Sequence, residues 1–290
     1  MSCSRLTLTG MAERVPPQTW FCVSAVFHYL GPSFAVLLFP AVGVLGVAWL
    51  RIATAALLFA PLTRPWRTLA TTDSATRWRL LALGLCLAVM NCAFYLALDR
   101  LPLSMVAAIE FVGTIGVALW GLRSGRNLVA LGLAVAGVWV LINVTWSGDP
   151  WGLVWALLNG ALFVGYIVLG HRISADGASD GVARLGAAMA VAFVFVMPVG
   201  FREAWTALAD PLLLAAGIGV GVCSSVIPYV ADQLAMSRLP RASFALMLAL
   251  LPAMATLIGA VVLGQVPGPW DLFGIALVMA GVALHRPPAP

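Results

Sequence analysis

The sequence contains no lysine, and only 9% of its 290 residues are charged. Soluble domains carry roughly 25% charged residues, so a water-facing charged shell is excluded. A nucleic-acid face is excluded with it, because such a face needs clustered basic charge on a wettable surface. No GxxxxGKS or GxxxxGKT loop is present, and no HExxH or GxSxG motif. These absences argue against nucleotide-driven pumping, zinc proteolysis and serine hydrolysis within this chain. Cysteine is scarce as well. Cys3, Cys22, Cys86, Cys92 and Cys223 form no CxxC and no Cys/His metal spacing, and four of them fall inside apolar runs. They read as small core residues, and no metal or cofactor is expected. Long polar stretches are also missing. The largest gaps between apolar runs are about 15 and 10 residues, too short for a soluble catalytic or output domain.

What is present is apolar: 62% of the chain. A membrane-spanning helix needs about 20 mostly apolar residues. Ten stretches meet that length: 18–39, 43–62, 78–98, 102–122, 127–146, 150–170, 181–201, 211–236, 240–263 and 268–285. Pro, Gly, Asp and Arg separate them, as turn residues should. The expected fold is all-α and polytopic. The run after Arg14 has no small-residue cleavage site, so it reads as a first span rather than a signal peptide, with Met11 as an alternative start.

Arginine placement orients the spans. With the N-terminus in the cytoplasm, thirteen arginines fall inside, Arg100 and Arg202 fall outside, and Arg51 lies within a span. Such a bias satisfies the positive-inside rule and places both termini in the cytoplasm. Arg100-Leu101-Pro102 and Arg238-Leu239-Pro240 recur 138 residues apart. That offset maps the fourth span onto the ninth. Two five-span halves of opposite orientation follow, 18–146 and 150–285, flanked by tails 1–17 and 286–290. Inverted repeats of this type place a substrate site near the midplane, around a central cavity.

Polar side chains inside a bilayer are costly and face the protein interior or a wet cavity. At a rise of about 1.5 Å per residue, five of them fall roughly 12–17 Å below the outer surface. They are His28, Arg51, Asn91, Glu110 and Asn159, each on a different span. Their convergence predicts a binding chamber. Glu110 suits a substrate ammonium or a proton, or else is a structural acid hydrogen-bonded to a neighbouring helix. Arg51 suits a carboxylate, although it could instead pair with Glu110 or snorkel outward. His28 is a proton or substrate ligand, or else an interior histidine with structural bonds. Asn91 and Asn159 supply neutral hydrogen bonds, to substrate or between helices. Tyr95 and Tyr166 are candidates for the chamber wall or for anchoring at the membrane interface. Gly31, Pro32, Pro228 and Pro252 are candidate hinges, and Asp232 is a candidate gate near the cytoplasmic end or a residue of a solvated helix end. Pro228 should free a backbone carbonyl that Ser224 and Ser225 would satisfy. Gly217, Gly219 and Gly221 should allow close helix packing.

The sequence also resembles the EamA-type transporters of the drug/metabolite transporter superfamily, in particular the bacterial threonine/homoserine exporter group. The resemblance runs in order through Met90-Asn91, Phe94-Tyr95, Leu101-Pro102-Leu103, Glu110-Phe111 and Gly113. It continues through Ile227-Pro228-Tyr229, Arg238-Leu239-Pro240, Pro252-Ala253 and Leu263-Gly264. It implies ten helices in two inverted halves, a central cavity, a bacterial inner membrane and export of small metabolites, commonly amino acids. The sequence departs from that group at Thr114, Leu251 and Gln265, the last two standing where carboxylates are usual.

The expectation is therefore a secondary exporter or exchanger of amino acids by alternating access. Its partners would be a small-molecule substrate, the lipid bilayer and, for a coupled carrier, protons. Carriage of another metabolite or a lipophilic drug, and uncoupled facilitation, stay open. An intramembrane enzyme would need Glu110 and His28 to be completed by further groups, and none is visible. Oligomeric state leaves no signature in the sequence.

Overall fold

The computed structural model describes residues 16–121, 124–145, 149–174, 178–228, 230–231 and 250–284, and their regular structure is entirely helical. The helices are α1 (Pro17–Val42), α2 (Val44–Thr63), α3 (Pro65–Thr71), α4 (Ser74–Leu98), α5 (Leu103–Gly121) and α6 (Gly125–Thr145). They continue with α7 (Pro150–Ser174), α8 (Ala178–Ala209), α9 (Pro211–Gly221), α10 (Leu251–Leu263) and α11 (Pro269–Leu284). A π turn, Val222–Val226, extends α9.

Among the described residues, five helices are long and apolar enough to cross a membrane: α1, α2, α4, α6 and α8. Apolar stretches of α5, α7, α9 with its π turn, α10 and α11 are shorter. Each apolar run of the sequence overlaps one of these helices among the described residues, the runs 211–236 and 240–263 only in part. The largest gap holds the additional short helix α3.

Helix starts follow local chemistry. Proline opens α1, α3 and α9, where its missing N–H is no loss. Asp73 caps α4 by accepting the Thr76 N–H at 3.1 Å, and Asp210 caps α9 by accepting that of Leu212 at 2.8 Å. The Thr76 bond holds the Asp73 carboxyl below the usual carboxylate range. Its stabilising effect is therefore complete above that range and lost as pH falls through the lowered value. Replacing Asp73 by Ala should lower the unfolding temperature at pH 7, and the difference from wild type should shrink toward pH 3.

A single residue, Gly43, separates α1 from α2. Its φ of 87° is a conformation that L side chains rarely adopt. The N-terminus of α2 is held from another helix: Glu203 of α8 accepts the Gly46 N–H at 2.9 Å.

Crossings are tight where glycine removes a side chain. A Cβ on Gly200 of α8 would meet the Leu45 carbonyl oxygen and approach the Trp49 Cβ to 2.7 Å. Because that carbonyl is backbone, the helices would have to separate. Gly200→Ala should therefore destabilise the protein by about 1–3 kcal/mol, read as a lower melting temperature in detergent.

The outside of the bundle is oily. Leu62, Leu212, Val261 and Val194 are all more than two-thirds exposed. Trp66, Trp78, Trp151, Trp205 and Trp270 are exposed close to helix ends, as in the aromatic belts of membrane proteins. Buried polar residues include Arg51, Asn91, Glu110 and Asn159. This inverted polarity fits a lipid solvent.

Candidate functional site

Two glycine-lined crossings position the polar residues. The first joins α2 and α9. A Cβ on Gly217 would lie 2.6 Å from Leu50 Cδ1, and one on Gly221 would lie 2.5 Å from Thr54 Cβ. Nothing lies against Gly219 within 4 Å, so only two of the three expected glycines serve the crossing. The close approach brings Arg51, between Leu50 and Thr54, alongside the π turn. Its Nε donates to Ser225 Oγ and its Nη2 to the Ser224 carbonyl, both at 3.1 Å. Its guanidinium also lies over the Tyr95 ring, 5.4 Å from the centroid.

The Ser224 carbonyl is the one that Pro228, four residues on, cannot serve in α-helical register. The expectation was that Ser224 and Ser225 would relieve it locally. Instead the donor comes from α2, across the crossing. Gly31 of α1 closes the other side of the π turn, where a Cβ would lie 2.6 Å from the Ser224 backbone N.

The second crossing joins α5 and α7. A Cβ on Gly113 would lie 3.0 Å from the Gly160 carbonyl. With the helices this close, Asn159 Nδ2 donates to Glu110 Oε2 at 3.1 Å. Glu110 is 5% exposed, Asn159 2% and Arg51 7%, so both charges are withdrawn from solvent. They lie within electrostatic reach of each other, yet they form no direct ion pair. A basic and an acidic side chain are thus buried in one interior without a direct ion pair between them.

The remaining predicted residues surround or flank these two. Asn91 is buried, and its Nδ2 donates to the Leu87 carbonyl of its own helix at 2.7 Å. Tyr95, one turn on, is fully buried, its hydroxyl without a hydrogen-bond partner among the described residues, and edge-on to Phe39. His28 is half-buried, within electrostatic reach of Arg51 and edge-on to Tyr29. Tyr166 stacks on Phe163, two turns along α7 from Asn159.

Of the candidate hinges, Pro32 is buried inside α1 and leaves the His28 carbonyl without an α-helical donor. Pro228 is buried just past the π turn, and Pro252 stands in the first turn of α10. Asp232 lies outside the described residues.

Sequence reasoning missed Tyr29, whose buried hydroxyl has no hydrogen-bond partner among the described residues and which lies within electrostatic reach of Glu110. No motif marks it. It also missed Ser224 and Ser225 as partners of Arg51, and Glu203. The spacing of Ser224 from Pro228 is the one signal that names the carbonyl concerned. Among the described residues no group of three His, Cys, Asp or Glu could hold a metal. A separate apolar cleft of about 250 Å³ is lined by Trp20, Val23, Val226, Ile227, Val230 and Ala231.

The EamA-like transporter family profile matches residues 150–285. The threonine/homoserine exporter RhtA of Escherichia coli K12 is 33% identical over 253 residues, spanning 86% of this chain and 84% of the exporter. The chain belongs to the EamA-like transporter family. The RhtA of Salmonella typhimurium LT2 matches over the same length at the same identity. An uncharacterized transporter of Archaeoglobus fulgidus is 26% identical over 79% of this chain and 84% of its own length. A crystal structure only 18% identical superposes with a TM-score of 0.59, covering 92% of this chain and 96% of that one, which shows a shared fold. Family membership and the apolar helices make the protein a multi-pass membrane transporter for a small molecule.

Proposed function

We propose that this transporter exports or exchanges small zwitterions, amino acids of the threonine or homoserine kind foremost, across a bacterial inner membrane. The observation that carries the reading is the burial of Arg51 and Glu110 in one interior without a direct ion pair between them. A zwitterion brings one group of each sign and would satisfy both. Glu110 meets the ammonium, or a proton in its absence, and Arg51 meets the carboxylate. Asn91 and Asn159 add neutral hydrogen bonds, Tyr95 and Tyr166 line the chamber, and His28 borders Arg51. The exporters that the chain resembles are named for substrates of this class.

Alternating access by two inverted five-helix halves, 18–146 and 150–285, is part of the proposal. What supports it is the pairing of helices. Exchange α1 with α7, α2 with α8, α4 with α9, α5 with α10 and α6 with α11. The α4–α7 contact then becomes α9–α1, α5–α7 becomes α10–α1, and α4–α8 becomes α9–α2, all of which occur. The α2–α8 and α6–α11 pairs map onto themselves. Contacts inside the α2–α8 pair repeat too. Gly46 meets Glu203 and Ala204 near one end, and Gly186 meets Thr63 near the other. An offset of 140 residues carries Gly46 to Gly186 and Thr63 to Glu203. In this arrangement both termini are cytoplasmic, and Gly31, Pro32 and Pro228 lie where the halves meet.

The test is purified protein in liposomes, loaded with unlabelled L-threonine and offered the labelled amino acid outside. Counterflow above protein-free liposomes is expected, and none over the whole set of amino acids would reject the reading. An imposed pH gradient that drives accumulation marks proton coupling. Equilibration without accumulation marks facilitated diffusion. The apolar cleft at Trp20 favours a second reading, carriage of a lipophilic compound. That reading predicts competition by apolar dyes and none by amino acids.

A further inference from the structure

Arg51 is a cation buried among helices with no carboxylate in ion-pair range among the described residues. What it has instead are two oxygens on α9, the Ser225 hydroxyl and the Ser224 carbonyl, at 3.1 Å each. They engage Nε and Nη2, one edge of the planar guanidinium fork, as the two oxygens of a bound carboxylate would. Both are weaker acceptors than a carboxylate, because neither carries a formal charge. One of them is a carbonyl to which Pro228 cannot donate in α-helical register.

We propose that Ser225 and the Ser224 carbonyl are an internal surrogate for the substrate carboxylate, and that Ser225 is thereby a specificity-determining residue. The inference rests on the assignment of Arg51 to the carboxylate. Without substrate, the surrogate ties α2 to the π turn of α9 and holds the bundle closed around the site. An incoming carboxylate displaces it, because a charged acceptor outcompetes two neutral ones for the same fork. Ligands without an oxyanion leave the tie intact and are not carried.

The surroundings of the π turn suit a movable element. Gly31, Gly217 and Gly221 let α1 and α2 press against it from two sides, so a small shift there changes both contacts. Ser224 Oγ is buried without a hydrogen-bond partner among the described residues. The π turn therefore leaves a donor unspent that another register could use.

The surrogate makes a prediction opposite in sign to plain structural support. If Ser225 merely braced Arg51, Ser225→Ala would weaken binding of an amino acid. If Ser225 competes with the substrate, the same variant binds more tightly, because part of the internal competition is gone. The expected gain is about three- to tenfold in the Kd of L-threonine, with no gain for threoninamide, which lacks the carboxylate.

Cys223, inside the π turn and half-buried, supplies a reporter that needs no substrate. With the other cysteines replaced, its alkylation by N-ethylmaleimide in membranes should quicken severalfold in Ser225→Ala, and Ser225→Thr should restore the slow rate. L-Threonine should quicken it in the wild-type background, and threoninamide should not. Unchanged alkylation in Ser225→Ala, or weaker threonine binding by it, overturns the surrogate. Quickening in Ser225→Ala with no response to any amino acid upholds the tie and rejects the amino-acid reading instead.

Discussion

In Glu110→Gln, transport of a labelled amino acid should fall by about two orders of magnitude or more, while the protein still folds. The fall follows from what the carboxylate faces. Glu110 is 5% exposed, and its one hydrogen-bonding partner among the described residues is Asn159, a neutral amide. Removing one member of a buried charge pair costs about 2–5 kcal/mol, and 1.4 kcal/mol is a factor of ten. In the proposed reading, the pair in question is Glu110 with the substrate ammonium. Folding should survive, because a glutamine carbonyl can still accept the Asn159 amide. The N-acetylated substrate isolates the cause. It should bind the wild type far more weakly than the free amino acid does, and bind Glu110→Gln about as well as the free amino acid does. A full N-acetyl penalty in the variant would assign the ammonium elsewhere.

Arg51→Gln should cost a similar factor in affinity, and Arg51→Lys should recover little of it. Lysine offers a point charge, whereas the site uses Nε and Nη2 of a fork at two oxygens and lays the guanidinium plane over Tyr95. Loss of the positive charge removes the carboxylate contact. It also leaves the Ser224 carbonyl less well served, so a lower melting temperature should accompany the loss of binding. The methyl ester of the substrate provides the matching control. Esterification should weaken binding to wild type and leave binding to Arg51→Gln nearly unchanged. Isothermal titration with both ligands and both variants reads these effects directly.

The helices were legible because lipid imposes a length and a polarity that no other solvent does. Runs such as 43–62 and 268–285 match α2 and α11 within two residues at either end. Boundaries failed where polar residues continue a helix. The run 181–201 ends at Phe201, but α8 continues through Arg202 and Glu203 to Ala209, because Glu203 folds back onto the N-terminus of α2. Buried positions of Arg51, Asn91, Glu110 and Asn159 were readable from the cost of placing them in lipid. Partners were not. Asn91 turns to its own Leu87 carbonyl, and Arg51 turns to the π turn rather than to Glu110. Hydropathy reports depth along a helix. It says nothing of which neighbour a side chain reaches, since that depends on where glycines let two helices close. The interruption of α9 by a π turn likewise has no periodic signature, and only Pro228 hints at it.

The most direct test of the central claim is a competition series on wild-type protein in liposomes. Free L-threonine, its methyl ester and its N-acetyl derivative are each set against labelled threonine. A basic and an acidic side chain buried in one interior without a direct ion pair predict strong competition by the free amino acid and little by either derivative. Equal competition by the ester or the N-acetyl compound would show that one of the two charges does not meet the substrate, and would contradict the account.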